Sequence, residues 1–263
     1  MHDVWAIGDA YEIYVGRWSR LVASDFVRWL GVPAGRRWLD VGCGTGALTE
    51  AILAGADPAR VVGVDPSEGF LAEARRRIGD PRAELRAGDA QALPVPDGGQ
   101  DAVVSGLSLN FVADAGAALA ESVRVAAPGG VVAGYVWDYS GGMAMIRQFW
   151  DAAKLLNPAA AELDEARRFP LCRPEPLRAL WTGAGLGHVA VEPIDVPSRF
   201  EGFDDYWTPF LGGQGPAPTY VASLTDRQRR SLRELLATHL PKEPDGGITM
   251  TARAWAVRGT VSP

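Results

Sequence analysis

The chain has 263 residues, 47% of them hydrophobic and 22% charged, which is enough apolar material for an α/β domain with insertions. Its net charge of −6 provides no general attraction to nucleic acid or anionic lipid, so no nucleic-acid partner is expected. Two isolated cysteines and three scattered histidines exclude a disulfide framework and predict no metal site. No apolar run reaches the ~20 residues of a transmembrane helix, so a cytoplasmic location is expected.

The first half of the chain predicts a helical segment followed by alternating strands and helices. Residues 1–30 are rich in aromatic side chains and have helical character up to Gly31 and Pro33. Apolar runs predict strands at 37–42, 60–65, 83–89, 102–107 and 131–138, and the segments between them predict helices at 45–56, after Ser67, and at 114–127, the last ended by PGG at 128–130. Because no hairpin signal separates these strands, crossover connections and a parallel sheet are predicted.

The second half is less regular. Its spacing predicts a helix at 143–157, a loop around Phe169, a helix at 174–185, a strand at 188–196, a helix opened by a capping box of Thr225 and Gln228, and a strand at 248–259, with 201–220 unassigned. We therefore predict one domain, 1–263, with an N-terminal helical cover at 1–30, a core at 37–138 and substrate-capping insertions at 139–172 and 201–245.

A glycine-rich segment, DVGCGTG at 40–46, lies between the first predicted strand and helix. Glycines there allow a sharp turn and a close approach of the backbone to a ligand. Gly42, Gly44 and Ala47 also satisfy the dinucleotide fingerprint, so the pattern alone leaves a nicotinamide-dependent oxidoreductase open. Asp40 disfavours a negative pyrophosphate at this loop and suits the cationic sulfonium and ammonium groups of S-adenosylmethionine (SAM).

The segment LDVGCGTGALTEAI resembles the first motif of class I SAM-dependent methyltransferases, and the resemblance continues in order through 61–75, 88–114 and 121–132. YEIYVGRWSRLVA and PLRALWTGAGLGHVAVE are similar to segments of small-molecule members, such as quinone-biosynthesis methyltransferases. The resemblance implies a Rossmann-like α/β fold, with a mostly parallel seven-stranded sheet, helices on both faces and an antiparallel last strand.

The resemblance also implies which residues bind the adenosine part of SAM. Asp65, followed by Pro66, would bind the ribose hydroxyls, because a carboxylate can accept hydrogen bonds from both. Phe70 would lie over the adenine, with a helix-core role as its alternative. The Asp89 carboxylate and the Ala90 amide would bind the adenine edge, unless Asp89 is only a turn residue.

The amino-acid end of SAM is expected at other segments. The glycine loop contributes Asp40, Gly42, Gly44 and Gly46, and the end of the fourth strand contributes backbone groups of Ser105, Gly106 and Leu107. Arg17 would pair with the SAM carboxylate and Tyr14 would close over the cofactor; the alternative is a packing helix with a solvated arginine.

The methyl acceptor is expected at the carboxyl ends of the strands, where Asn110 would orient it and Asp138 would act as a base. Both residues have structural alternatives, as a turn residue and a strand-end residue. An aromatic run at 200–210 predicts either the lid of an aromatic or lipophilic pocket or ordinary core packing.

Three functions follow in order of preference. The first is SAM-dependent methyl transfer to a small molecule. The second is SAM binding without methyl transfer, and the third is nicotinamide-dependent oxidoreduction. The sequence does not specify the acceptor, the atom methylated or the oligomeric state.

Overall fold

The computed structural model describes residues 16–212 and 215–263. Contacts divide the chain into two compact units. The unit that we call the sheet unit comprises Ser19–Val136, Leu171–Ile194 and Trp255–Pro263. The other, which we call the aromatic unit, comprises Met1–Trp18, Trp137–Pro170 and Asp195–Ala254, and its described part begins at Gly16. The predicted insertions fall almost wholly in the aromatic unit, and the assignment of the whole chain to one domain stays a prediction.

The sheet has seven strands in the order β3-β2-β1-β4-β5-β7-β6. Their bounds are Arg37–Val41 (β1), Arg60–Asp65 (β2), Ala83–Ala87 (β3), Gln100–Gly106 (β4), Ala126–Trp137 (β5), Gly187–Phe200 (β6) and Ile248–Thr260 (β7). The first five strands pair in parallel. The last strand is antiparallel to β5, since Val261 N donates to Gly130 O while Asp138 N donates to Arg253 O. The predicted Rossmann-like topology is confirmed.

The central strands form because their apolar runs are buried on both faces. In β2, Val61, Val62 and Val64 are buried, and in β1 Trp38 and Leu39 are fully buried. A parallel sheet covered by helices on both sides favours such continuous apolar strands over alternating ones.

Helices connect the strands of the sheet unit and form about half of the described part of the aromatic unit. Their bounds are Arg17–Leu30 (α1), Ala47–Gly55 (α2), Glu68–Arg77 (α3), Ala115–Val125 (α4), Ala144–Leu156 (α5), Glu165–Arg168 (α6), Pro174–Gly183 (α7), Phe203–Trp207 (α8), Pro216–Ser223 (α9) and Asp226–His239 (α10). Short 3-10 turns lie at Leu109–Phe111, Pro158–Leu163, Pro170–Cys172 and Thr208–Leu211. None of the helices within 16–212 and 215–263 is long and apolar enough to cross a membrane.

Two of the predicted helix starts are confirmed by their caps. The Ser67 hydroxyl accepts a hydrogen bond from Phe70 N at the start of α3. At the start of α10, the Thr225 side chain accepts from Gln228 N while the Gln228 side chain accepts from Thr225 N. This reciprocal pair is the predicted capping box.

Other predicted boundaries were wrong. The PGG segment does not precede β5 but lies within it, because Gly129 N donates to Val261 O and draws the segment into the sheet. The predicted loop around Phe169 contains helical turns, one of them started by Asp164, whose carboxylate accepts from Ala166 N. The strand predicted at 188–196 extends to Phe200. The unassigned 201–220 segment is largely helical.

An aromatic core holds the aromatic unit together. The Phe149 and Phe210 rings stack with centroids 4.5 Å apart, and the Trp150 and Tyr220 ring centroids lie 5.6 Å apart. Phe200, Tyr206 and Phe210 of the predicted aromatic run are fully buried, and Tyr206 donates a hydrogen bond to Met145 O at 3.0 Å. These three side chains therefore pack in the core of the aromatic unit, which is the second of the two predicted alternatives.

Candidate cofactor site

The glycine loop turns from β1 into α2 through backbone conformations that favour glycine. Gly42, Gly44 and Gly46 have φ angles of 72°, 53° and 92°. In this region an L side chain is strained, whereas glycine is not. Gly42 N donates to Val64 O at 2.7 Å, which ties the loop to the end of β2.

The three glycines differ in what surrounds them. A Cβ atom on Gly42 would lie 2.4 Å from Ser108 Oγ, and one on Gly46 would lie 2.6 Å from Ile78 Cδ1. A Cβ on Gly44 would meet nothing within 4 Å. Gly42 is therefore required for internal packing, while the contact at Gly46 is with the movable end of the Ile78 side chain. Gly44 presents bare backbone to open space, where a ligand can approach it closely.

Asp40 is a buried carboxylate beneath this loop. Its Oδ2 accepts a hydrogen bond from Thr49 Oγ1 at 2.7 Å, and its Oδ1 is buried with no hydrogen-bond partner among the described residues. The pKa of Asp40 is raised to about 7, mainly by burial and to a lesser degree by the nearby Asp65 charge, while hydrogen bonds from Thr49 oppose the rise. A cation bound near this carboxylate would favour its charged form.

Asp65 ends β2 and faces the glycine loop. Its Oδ2 accepts from Gly44 N at 2.9 Å and its Oδ1 accepts from Ser67 N at 2.8 Å. Burial raises the pKa of this carboxyl, and the two backbone hydrogen bonds oppose the rise. Each oxygen keeps acceptor capacity, so the carboxylate can receive hydrogen bonds from a vicinal diol. Pro66, next to it, is exposed.

The residues predicted for the adenine lie on α3 and after β3. Phe70 is only partly buried, whereas Leu71 and Ala74 of the same helix are fully buried in the core. Asp89 is exposed and its Oδ1 accepts from Gln91 N at 2.8 Å; Ala90 is partly buried. Phe70 therefore has surface available for a ligand, while Asp89 shows the turn hydrogen bond of its alternative role.

The segment after β4 is tied to β1 through hydroxyl groups. Ser105 Oγ and Ser108 Oγ lie 2.7 Å apart, and Ser108 Oγ donates to Val41 O at 3.2 Å. Between them Leu107 has a left-handed φ of 61°, and its N–H donates to Tyr135 O at 2.8 Å. The Asn110 side-chain oxygen is buried without a hydrogen-bond partner among the residues described.

The remaining predicted residues belong to the aromatic unit or fall outside the described residues. Arg17 pairs with Asp205 at 3.2 Å, and its guanidinium carbon lies 4.7 Å from the ring centroid of Phe200. Asp138 is buried, and its Oδ1 accepts from the Ser140 hydroxyl at 2.6 Å in a tight turn. Tyr14 lies outside the described residues. The roles predicted for these three residues stay predictions.

Two contributors to the site, Thr49 and Ser108, were not predicted from the sequence. Thr49 lies one turn into α2, where its hydroxyl can reach back to Asp40. Its position three residues after Gly46 was the available signal. Ser108 contacts residues 67 positions earlier in the chain, so no local pattern pointed to it.

The sheet unit thus gathers Asp40, Asp65 and the open backbone of Gly44 at the carboxyl ends of β1 and β2. Buried carboxylates beside a glycine loop suit a cationic ligand with hydroxyl groups and oppose a pyrophosphate. Among the described residues there is no cluster of three metal-ligating side chains. The chemistry of this donor set fits SAM.

Comparisons with known proteins match the same region. Residues 39–134 match the model of a family described as a methyltransferase domain. Demethylmenaquinone methyltransferase from Renibacterium salmoninarum is 44% identical over 115 residues, which are 43% of this chain and 45% of that protein. The matches cover between 33% and 48% of the curated relatives, so the chain matches less than half the length of each.

Solved structures resemble nearly the whole chain at low sequence identity. The YcgJ protein of Bacillus subtilis has a TM-score of 0.60 and 17% identity, over 92% of this chain and 99% of that one. Phosphoethanolamine N-methyltransferase 2 of Haemonchus contortus, solved with phosphomonomethylethanolamine and S-adenosylhomocysteine, has a TM-score of 0.59 and 19% identity, over 97% of this chain and 57% of that one. At this identity the likeness establishes the fold.

Proposed function

We propose that this protein, whose residues 39–134 match the model of a methyltransferase domain, is a class I SAM-dependent enzyme that transfers a methyl group from SAM to a small-molecule acceptor. One observation carries the proposal. At the carboxyl ends of β1 and β2, the carboxylate of Asp65 lies against the exposed backbone of Gly44, above the buried carboxylate of Asp40. This arrangement provides acceptors for a diol and negative charge for a cation.

Different residues of the sheet unit would bind different parts of the cofactor. Asp65 would bind the ribose hydroxyls, and Phe70 and the Ala90 amide would contact the adenine. The glycine loop (Gly42, Gly44 and Gly46) and the backbone at Ser105 and Leu107 would hold the amino-acid end. When bound, SAM supplies a methyl carbon whose bond to sulfur breaks as a bond to the acceptor forms, leaving S-adenosylhomocysteine. The chain contributes alignment and exclusion of water, which can provide most of the acceleration.

The acceptor side rests on fewer residues. The buried side-chain oxygen of Asn110, which has no hydrogen-bond partner within 16–212 and 215–263, can accept a hydrogen bond from a hydroxyl or amine of the methyl acceptor and so orient it. Asp138 is the candidate base, needed only if the acceptor loses its proton during transfer. The names of the curated relatives support an aromatic or lipophilic acceptor, by analogy with a demethylated menaquinone. We propose a cytoplasmic location from composition.

The alternatives make different demands on the same site. A nicotinamide cofactor would bring a pyrophosphate next to Asp40 and Asp65, where two carboxylates repel it. SAM binding without transfer would leave the cofactor half of the site unchanged, so only measurement of turnover distinguishes it.

Calorimetric titration with SAM, S-adenosylhomocysteine (SAH) and NADH tests the cofactor. We expect saturable binding of SAM and SAH and no binding of NADH. Asp65→Ala should weaken SAH binding about tenfold or more, because it removes hydrogen bonds to a charged acceptor, each contributing about 1.5–3 kcal/mol. Asp97→Ala is the matched control, since that carboxylate is largely exposed in the same unit and should leave SAH affinity unchanged. Binding of NADH alone would refute the proposal.

Turnover requires a second experiment. Incubation with SAM labelled in the methyl group and a panel of quinols, phenols and amines should yield a labelled product and SAH. Tight SAH binding with no labelled product from any member of a broad panel would favour SAM binding without transfer.

A further inference from the structure

Two serine hydroxyls form a directed chain between the end of β4 and the end of β1. Ser108 has one hydroxyl hydrogen, and it is donated to Val41 O at 3.2 Å. At its 2.7 Å contact with Ser105 the Ser108 oxygen must therefore accept, so Ser105 is the donor. This chain of hydrogen bonds runs from Ser105, near the end of β4, to Val41, the residue immediately before Gly42.

Packing fixes the same two segments against each other. A Cβ on Gly42 would lie 2.4 Å from Ser108 Oγ and 2.6 Å from Ser108 Cβ. The Ser108 side chain thus fills the space beside the Gly42 backbone, and the absence of a side chain at position 42 is what allows the contact. The hydrogen bond and the packing both specify one separation between the glycine loop and the segment after β4.

The backbone between the two serines is strained at Leu107 and needs neighbouring contacts to hold its conformation. Leu107 is a non-glycine residue with φ of 61° and a buried side chain. Such a conformation is unfavourable for a side chain with a Cβ and persists only where its surroundings determine it. The Ser105–Ser108 contact spans this residue, and the hydrogen bond from Leu107 N to Tyr135 O holds its amide.

We propose that Ser108 is a positioning residue for the amino-acid end of SAM. Its hydroxyl sets the distance between the glycine loop and the turn at Leu107, the two backbone segments assigned to that end of the cofactor. The inference rests on the proposed function, because it concerns how the same site holds SAM. Ser108 acts through Val41, Gly42 and Ser105, and no contact between its side chain and the cofactor is required.

A pair of ligands separates positioning from general stability. SAH carries the amino-acid end, whereas 5′-methylthioadenosine has the same adenosine and thioether without it. Ser108→Ala should weaken SAH binding about five- to tenfold, the range of one net hydrogen bond, and change methylthioadenosine binding less than about twofold. Ser24→Ala is the matched control, since the exposed Ser24 hydroxyl donates to Arg20 O within α1 of the same unit. It should leave both affinities unchanged.

Two further variants keep the proposal testable if Ser108→Ala folds poorly. Ser105→Ala removes the first donor of the chain and should show the same difference between the two ligands. Gly42→Ala should weaken SAH binding through its clash with Ser108, and adding Ser108→Gly should restore part of that loss. The double variant keeps the backbone strain at position 42 and also lacks the Ser108 hydroxyl, so only the part of the loss that the clash causes is recovered.

The outcomes are distinct. Equal weakening of both ligands by Ser108→Ala, or unchanged SAH affinity in Ser108→Ala and Ser105→Ala, would overturn the positioning role while leaving the proposed function standing. Failure of the unaltered protein to bind SAH would overturn the proposed function and this inference together. Loss of SAH affinity alone, with methylthioadenosine affinity retained, is the result that we expect.

Discussion

Asp40 illustrates how a single residue can be predicted as a ligand-binding group and still show an unexpected environment. The sequence placed a carboxylate next to the glycine loop, where it suits a cation. The structure adds that the group is fully buried, with one oxygen bonded to Thr49 and the other without a hydrogen-bond partner in the part of the chain that the structure describes. Such a carboxylate destabilises the ligand-free protein when it is charged.

The raised pKa of Asp40 predicts a pH dependence of stability. Because the folded-state pKa of about 7 exceeds the ordinary value of 3.8, protonation stabilises the fold fully below the ordinary pKa. That stability is lost as the pH rises through 7. Between pH 5.5 and 8 the free energy of unfolding should fall by roughly 2 kcal/mol on account of this group. Urea denaturation of the unaltered protein and Asp40→Asn at both pH values measures this contribution, and an equal fall in both proteins would contradict it.

Glu165 provides the same test in the aromatic unit. Its side chain is buried and accepts a hydrogen bond from the Trp150 ring N–H. Burial raises its pKa to about 7 from an ordinary value of 4.5. Glu165→Gln should also remove roughly 2 kcal/mol of the fall in unfolding free energy between pH 5.5 and 8, measured by the same denaturation series. The exposed Glu162, replaced by glutamine, is the control and should leave the fall unchanged.

At the scale of elements, local chemistry determined which helices and strands were predictable. The strands and helices of the core alternate in apolar spacing, and helices in both units carry their own caps, as at Ser67 and Thr225, so a short window of sequence contains the signal. The start of β5 depends on a partner far along the chain, since Gly129 N donates to Val261 O. The spacing of residues within a short segment does not indicate such distant hydrogen-bond partners.

In the candidate site too, local patterns were predictable and distant contacts were not. The glycine loop and Asp65 were predictable because each is a local pattern at a strand end. The contact of Ser108 with Gly42 and Val41 joins residues more than sixty positions apart, and only the packed sheet brings them together. The site's ligand-facing residues were therefore more predictable than the residues that support them.

The capping box of α10 predicts a local loss of stability. Thr225→Ala removes the side-chain acceptor for Gln228 N and should lower the free energy of unfolding by about 1 kcal/mol. Thr238→Ala in the same helix is the matched control, since the exposed Thr238 hydroxyl donates to Glu234 O within the helix and caps no terminus. Thermal denaturation of both variants checks the prediction, and a loss in Thr238→Ala as large as that in Thr225→Ala would speak against it.

At the scale of the whole molecule, the last strand is essential to the sheet. β7 lies between β5 and β6, so its removal separates β6 from the rest of the sheet and uncovers one edge of β5. Uncovered strand edges promote aggregation. Deletion of 248–263 should leave no folded protein in the soluble fraction, whereas deletion of the exposed Ser262 and Pro263 should be tolerated. Soluble expression and far-ultraviolet circular dichroism measure both outcomes.

The position of β7 also affects how the chain can fold during synthesis. A strand that is translated after all the others must enter the middle of the sheet, next to β5, which ends more than one hundred residues earlier. The sheet therefore cannot close on the ribosome while β7 is still inside the exit tunnel. Until β7 emerges, β5 has one unpaired edge in a nascent protein, and this interval is when chaperone protection matters most.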